Sequence, residues 1–193
     1  MRLAALILTI AVIAPASPFA QSTFRRHTAV SIQEELDRLP TYGVFDFLTF
    51  GVDRGTVTLT GYSYNGSLKS QAAKAVKRIS GVDEVANKIE NLPPSSFDDQ
   101  IRWATFYRIY GDEFLSRYAP GGFATVYDAV SQSRRFPGLQ PFGTYPIHII
   151  VRNGHTTLHG TIGSEMDKRM AEIRAREVGG VFSVDNKLVV DND

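Results

Sequence analysis

The sequence predicts an α+β fold made of two αββαβ units, each a small three-stranded mixed sheet with two helices on one face. A Gly-x-x-x-Leu-x-Gly motif occurs at 55–61 and again at 154–160. A Gly-Val-x-x-Val-x-Asn-Lys motif occurs at 81–88 and again at 180–187, so both motifs recur at one offset of 99 residues. Around these motifs the apolar residues follow first a strand period and then a helix period. The constant offset indicates an internal duplication.

The composition is that of an ordinary globular protein, with 43% apolar and 21% charged residues in 193. The 21 Lys and Arg residues nearly balance the 20 Asp and Glu residues, which leaves a net charge of +1. This balance disfavours a nucleic-acid-binding protein, because attraction to the phosphate backbone needs a positive surface. The absence of cysteine excludes disulfides, thiolate metal ligands and cysteine nucleophiles.

Residues 1–20 are predicted to form a signal peptide, since a basic residue precedes an apolar run too short to cross a bilayer comfortably. Cleavage is expected after Ala20, with Ala16 as the alternative, and an uncleaved anchor is the competing interpretation. Residues 21–30 are expected to be a flexible lead-in. The mature chain is therefore expected to be exported from the cytoplasm, with no transmembrane span.

The first unit is predicted over residues 31–92. Ser31 and Glu34 match a capping box at the start of a helix. The apolar alternation that follows predicts a strand at 44–52, and a tight turn at 53–55 leads into the second strand of a hairpin.

The second unit is predicted over residues 99–191, after a proline-containing linker at 93–98. A helix that starts near Asp98 lies further upstream of its hairpin than the first helix of unit one does. Unit two is therefore expected to contain an insertion at about 111–144. Long insertions in small domains often serve function, although the aromatic residues of this one could equally pad the edge of the sheet.

The second helix of each unit is predicted to turn an apolar stripe toward the sheet and a basic face toward solvent. The stripe of unit one consists of Leu68, Ala72, Ala75, Val76 and Ile79. The stripe of unit two consists of Met166, Met170 and Ile173. The basic residues are Lys69, Lys74, Lys77 and Arg78 in unit one, and Lys168, Arg169, Arg174 and Arg176 in unit two.

Four glycines of the repeat are predicted to serve the fold. Gly61 and Gly160 end the second strand of each hairpin, where a tight bend or a close backbone approach favours glycine. Gly81 and Gly180 follow the second helix of each unit, where a left-handed cap favours glycine.

The sequence contains no pattern that indicates an enzyme, a cofactor or a metal site. His148, His155 and His159 are expected to be exposed on the second hairpin. His155 and His159 are four residues apart on a strand, about 13 Å, so they cannot chelate one ion. No nucleophile elbow, Walker loop or dinucleotide-binding glycine motif occurs.

The two motifs resemble those of the BON domain, named for bacterial osmotically inducible and nodulation proteins. The resemblance rests on Val-Thr-Leu-Thr-Gly61 with Gly81-Val-x-x-Val-x-Asn87, and on Thr-Leu-His-Gly160 with Gly180-Val-x-x-Val-x-Asn186. It implies an αββαβ fold, export to the periplasm and a binding role, with no catalytic residues to transfer. A location outside the cell is the alternative to the periplasm.

The function that the resemblance implies is association with anionic phospholipid or with other components of the cell envelope. The alternative is a protein–protein interaction or scaffold module of the envelope without lipid contact. The predicted contact residues are Arg134, Arg135 and Phe136 in the insertion, and Lys168 and Arg169 on the second helix of unit two. Arginine can hold a phosphate by paired hydrogen bonds, and an aromatic ring can lie at a headgroup boundary.

Overall fold

A computed structural model describes residues 18–133 and 140–191, including the side chains of 27–122, 124–133 and 140–191. Unit one contains α1 (Pro18–Asp37), β1 (Phe47–Asp53), β2 (Thr56–Ser63), α2 (Leu68–Val76), β3 (Glu84–Asn87) and β4 (Glu90–Asn91). Unit two contains α3 (Ser96–Tyr110), a 3-10 turn (Ser116–Tyr118), α4 (Phe123–Ser133), β5 (Ile147–Arg152), β6 (His155–Ile162), α5 (Glu165–Arg176) and β7 (Ser183–Val190).

The two sheets have the same topology. In each unit a hairpin of two antiparallel strands is followed by a helix and then by a strand parallel to the second hairpin strand, in the order β1-β2-β3 and β5-β6-β7. The short strand β4 continues the line of β3 and also pairs with β2. The predicted α+β fold of two mixed sheets is confirmed.

The first helix of unit one begins at Pro18, well before the predicted start at Ser31. The capping box at Ser31 and Glu34 is therefore wrong, and residues 21–30 are helical. Proline is well accepted at the first helical position, and the residues from Phe19 to Asp37 contain no glycine or further proline that would interrupt the helix. The helix of unit two starts at Ser96, where the side chain of Ser95 accepts a hydrogen bond from the Asp98 N–H at 3.1 Å.

The buried face of α2 agrees with the predicted stripe, whereas that of α5 does not. The buried residues are Leu68, Ala72 and Val76 on α2, and Asp167, Ala171 and Ala175 on α5, which are the same positions 99 residues later. Met166 and Ile173 are 68% and 50% exposed, so two of the three residues predicted to face the core lie on the surface. The small side chains of Ala171 and Ala175 bring α5 close to its sheet, but they give a weak apolar signal in the sequence.

Unit one contributes to the core of unit two through residues 41–46, which we call the junction segment. The first strand starts at Phe47 rather than at residue 44. Val44 and Phe45 are fully buried in the apolar cluster of unit two, where Phe45 packs edge-on against Trp103 at 5.2 Å. The core of unit one lacks both residues. The predicted continuation of the strand back to residue 44 is therefore wrong.

The far end of the insertion binds the junction segment. The side-chain amide of Gln140 donates to the Asp46 carboxylate at 2.6 Å, and its oxygen accepts from the Phe45 N–H at 3.2 Å. Val44 donates to the Pro141 carbonyl at 3.1 Å and accepts from the Ile149 N–H at 2.8 Å. Val44 thereby occupies the outer edge of β5 and joins the two units.

Candidate functional site

The position of α5 is fixed by its N-terminal turn. Ser164 caps the helix by accepting from the Asp167 N–H at 3.1 Å. The Asp167 carboxylate accepts from the hydroxyls of Ser164 and Tyr118, at 2.7 and 2.9 Å, and from Arg117 at 2.5 Å. Burial raises the pKa of Asp167, but these hydrogen bonds outweigh burial and hold it below its ordinary value. The 3-10 turn of the insertion thus anchors the start of α5.

The basic residues of α5 fall into two groups. Arg174 binds the Asp112 carboxylate at 2.7 Å, and Arg176 binds Glu172 at 2.8 Å. Lys168 and Arg169 form no ion pair with any residue that the structure describes. The charge of Arg169 is therefore available to an external anion. The charge of Lys168 also acts on the Glu172 carboxylate, and those of Arg174 and Arg176 are largely neutralised.

Two exposed apolar side chains lie beside Arg169. Met166 is three residues before it and Ile173 four residues after it, so all three project from the same face of α5. The equivalent positions of Met166 and Ile173 in unit one, 99 residues earlier, hold Ser67 and Lys74. We call Met166, Arg169 and Ile173 the α5 face; it combines a positive charge that forms no ion pair among the described residues with two exposed apolar side chains. Lys168, two residues after Met166, lies on another side of the helix.

A family model named BON domain matches residues 47–93 and 126–192. The two matches together span more than half of the chain. The chain belongs to the BON domain family. It contains two BON domains in tandem, in agreement with the duplication that the sequence indicates. The BON domain is a binding domain rather than a catalytic one, and it is known for association with phospholipid or the cell envelope.

Other comparisons add less. No curated protein matches the chain. Two solved structures of CdsD, a structural protein of the type III secretion system of Chlamydia trachomatis, are similar to it at 14% sequence identity, and one of them is a C-terminal domain. They cover 84% of this chain and 96% and 92% of their own chains, with a TM-score of 0.26. A TM-score this low supports no conclusion.

Of the five predicted contact residues, Arg169 lies on the α5 face of the second BON domain, and Lys168 lies on the same helix but on another side. Arg134, Arg135 and Phe136 lie outside the described residues. The sequence pattern does not reveal Met166 and Ile173 as surface residues, because methionine and isoleucine at a helical spacing predict a core stripe. The repeat contains the information that identifies them. The offset of 99 residues maps the core positions Leu68, Ala72 and Val76 onto Asp167, Ala171 and Ala175, which leaves Met166 and Ile173 off the core face.

Of the strand histidines, His155 is exposed as predicted, whereas His159 is only partly exposed. The predicted exposure is wrong also for His148, which is only 7% exposed. It pairs across the hairpin with His159, on the sheet face that the first BON domain covers. The Tyr42 hydroxyl lies 3.3 Å from His148 Nε2, and the Phe47 ring stacks on His159 with centroids 4.0 Å apart. Strand alternation predicts the face on which a histidine lies, but not that another domain covers this face.

Burial shifts the pKa values of three groups at this junction. It lowers the pKa of His148 to about 4, with a smaller lowering by the adjacent His159 and opposing effects of the Gly43 and Asp46 backbone. It also lowers the pKa of His159 to about 4. It raises the pKa of Asp46 to about 6, although hydrogen bonds from Tyr64, Gln140 and other groups act in the opposite direction.

The free energy of unfolding is expected to fall as the pH drops from about 6.5 to 4. In this window the unfolded chain protonates both histidines, whereas the folded protein keeps them neutral, and His148 alone accounts for a loss of up to about 3 kcal/mol. Asp46 acts in the opposite direction, because its pKa is higher in the folded than in the unfolded protein. Its protonation offsets roughly the loss of unfolding free energy that one histidine causes. Urea unfolding at pH 7 and pH 4.5 measures the difference. His148→Gln should make the pH dependence shallower, and an unchanged slope would contradict the assignment to His148.

Neither a metal site nor a membrane-spanning helix is found in the part of the chain that the structure describes. Within residues 18–133 and 140–191, no group of three His, Asp or Glu side chains converges on one point. No helix in these ranges combines the length and the hydropathy needed to cross a bilayer.

Proposed function

We infer that the protein is exported and attaches to anionic phospholipid of the cell envelope through its second BON domain. The BON family supports association with phospholipid or the envelope. The predicted signal peptide at residues 1–20 supports export to the periplasm. The observation that carries the lipid assignment is the α5 face, on which Arg169, with no ion pair among the described residues, lies between exposed Met166 and Ile173.

The α5 face has the chemistry of a surface that rests on a bilayer. Basic residues near an anionic surface contribute about 1 kcal/mol each, so Arg169 provides a modest attraction, to which Lys168 can add from the side of this face. Met166 and Ile173 can enter the boundary between headgroups and acyl chains, where each buried CH₂ group contributes about 0.8 kcal/mol. The long stem of Arg169 can lie along apolar neighbours while its charge reaches a phosphate. Together these contributions suit a reversible peripheral attachment.

Co-sedimentation of the chain from residue 21 with phosphatidylglycerol vesicles at low salt tests this proposal. Binding is expected to weaken about tenfold in Met166→Ser/Ile173→Ser, which removes the apolar contacts and places a small polar residue at both positions. Arg169→Glu should weaken it further, because it turns an attraction into a repulsion. Vesicles of phosphatidylcholine should bind little of the unsubstituted chain.

Lys74→Glu on α2 is the matched control, because it makes the same kind of charge change on an exposed position of the first BON domain. It should leave vesicle binding nearly unchanged. Full binding by both α5 variants with intact thermal stability would place the lipid contact elsewhere. No binding by the unsubstituted chain would remove the lipid assignment and leave the scaffold alternative.

Arg134, Arg135 and Phe136 remain proposed as a second contact within the insertion. Two adjacent arginines beside an aromatic ring suit a phosphate at a headgroup boundary. Arg134→Glu/Arg135→Glu should reduce vesicle binding without a change in the melting temperature. Vesicle binding equal to that of the unsubstituted chain would show that this pair takes no part.

A further inference from the structure

One edge of the sheet in the second BON domain is open. The edge strand β5 is covered by Val44, whose carbonyl accepts from Ile149. The edge strand β7 pairs along all eight residues with β6, and no other described strand pairs with it. In the first BON domain the equivalent edge is interrupted between Asn87 and Glu90. A long, regular, unpaired edge strand is a ready template for another strand.

The backbone groups that face this opening belong to the even-numbered residues of β7. Asp191, just past the strand, donates to Ile162 in the neighbouring β6, and backbone groups alternate in direction along a strand. The outward groups are therefore those of Val184, Asn186, Leu188 and Val190. The Leu188 N–H is held by the Asn186 side chain at a long 3.3 Å, so a strand placed opposite could share it.

The exposed charged side chains of β7 are complementary to those of a second, antiparallel copy of the same strand. Asp185 and Lys187 are 60% and 55% exposed and form an ion pair with each other at 3.1 Å. Two antiparallel copies of β7 can pair with residue 185, 186 or 187 opposite its own copy at the centre. In each of these registers the even-numbered residues of one strand lie opposite even-numbered residues of the other. Only the register centred on Asn186 places Asp185 of each copy opposite Lys187 of the other. The other two place like charges opposite each other, which is unfavourable in a cross-strand pair.

The same register matches the remaining side chains. On the face toward the helices it places the buried residues Val184 and Leu188 opposite each other. On the other face it places Ser183 opposite Val189, which is 62% exposed in the single chain. Such apolar and opposite-charge cross-strand pairs are the units that stabilise a sheet.

We propose that two copies of the protein associate through antiparallel pairing of their β7 strands, centred on Asn186. The two three-stranded sheets then form one continuous sheet across a twofold axis. This interface is distinct from the α5 face, so it can be tested without reference to lipid binding.

Sedimentation equilibrium of the chain from residue 21 should show a concentration-dependent dimer. Asp185→Lys and Lys187→Asp should each weaken dimer formation about tenfold or more, since each creates two like-charge pairs across the axis. A mixture of these two variants should recover the dimer, because every cross-strand pair is then of opposite charge. A structural defect in either variant would not be repaired by mixing. The matched control, Glu84→Lys on the interrupted edge of the first BON domain, should leave dimer formation unchanged.

Cysteine cross-linking reads the register directly, because the chain has no cysteine of its own. A mixture of Ser183→Cys and Val189→Cys chains should form a disulfide-linked dimer on mild oxidation, since these residues lie opposite each other. Ser183→Cys alone should not, because two copies of residue 183 lie about 20 Å apart in this register. A monomer at all concentrations, or equal cross-linking by Ser183→Cys alone, would overturn the proposal.

Discussion

Replacing Phe45 by alanine is expected to lower the free energy of unfolding by about 3–5 kcal/mol, the usual cost of removing a fully buried aromatic side chain. The loss should appear in the second BON domain, although Phe45 precedes the first strand of the first. Its ring lies edge-on to Trp103 and Phe106 at 5.2 and 6.3 Å. Residue 45 is thus a core position of a domain whose own helix α3 starts only at Ser96.

The fluorescence of Trp103, the single tryptophan of the chain, measures this effect at the site of the change. Urea unfolding followed by this signal should shift to lower urea in Phe45→Ala. Phe50→Ala is the matched control, since Phe50 is partly buried and packs on the core of the first domain only. It should destabilise the protein less and shift the tryptophan signal little. An equal shift of the tryptophan signal in both variants would contradict the assignment of Phe45 to the second core.

Replacing Gly160 by alanine is expected to cost about 3 kcal/mol or more, because both the space and the backbone conformation exclude a side chain. A Cβ at this position would lie 2.0 Å from the Pro146 carbonyl oxygen. The backbone φ angle is 124°, a value that residues with a side chain rarely adopt. Gly61 has the same environment in the first domain, with a Cβ contact of 2.0 Å to the Phe47 carbonyl oxygen.

Gly51→Ala is the control for the Gly160 variant. Gly51 also lies in a hairpin strand, but a Cβ there meets no atom within 4 Å. Thermal unfolding should therefore change little in Gly51→Ala and drop by several degrees in Gly160→Ala. Similar melting temperatures for the two variants would show that the close approach at Gly160 is relieved at little cost.

Features that depend on one unit and its local chemistry could be predicted from the sequence. The hairpin turn at Asn153-Gly154 has positive φ angles of 53° and 77°, as expected for the type I′ turn that an Asn-Gly pair favours. The four repeat glycines all have positive φ angles, which favour glycine. In these cases the residue type itself selects a backbone conformation. The predicted left-handed caps at Gly81 and Gly180 are wrong, however, because the helices end earlier, with Lys77 and Glu177 as their C-caps.

Features that depend on contacts between the units could not be predicted in this way. Alternation shows that His148 faces away from the helices of its own domain, but not that Tyr42 and Phe47 cover that face. The apolar run that starts at Val44 resembles a longer strand, because periodicity does not tell which core its first residues enter. On α5, the large side chains of Met166 and Ile173 dominated the pattern, whereas burial follows Ala171 and Ala175.

The shared residues of the junction segment impose an order on the folding of a chain that emerges N-terminus first. The apolar cluster of the first domain is complete once residue 89 has been made, because it uses neither Val44 nor Phe45. The cluster of the second domain needs both of these early residues together with Leu188 near the end of the chain. Domains of a nascent chain tend to fold in turn. Val44 and Phe45 therefore remain exposed on the folded first domain until almost the whole chain is available to cover them.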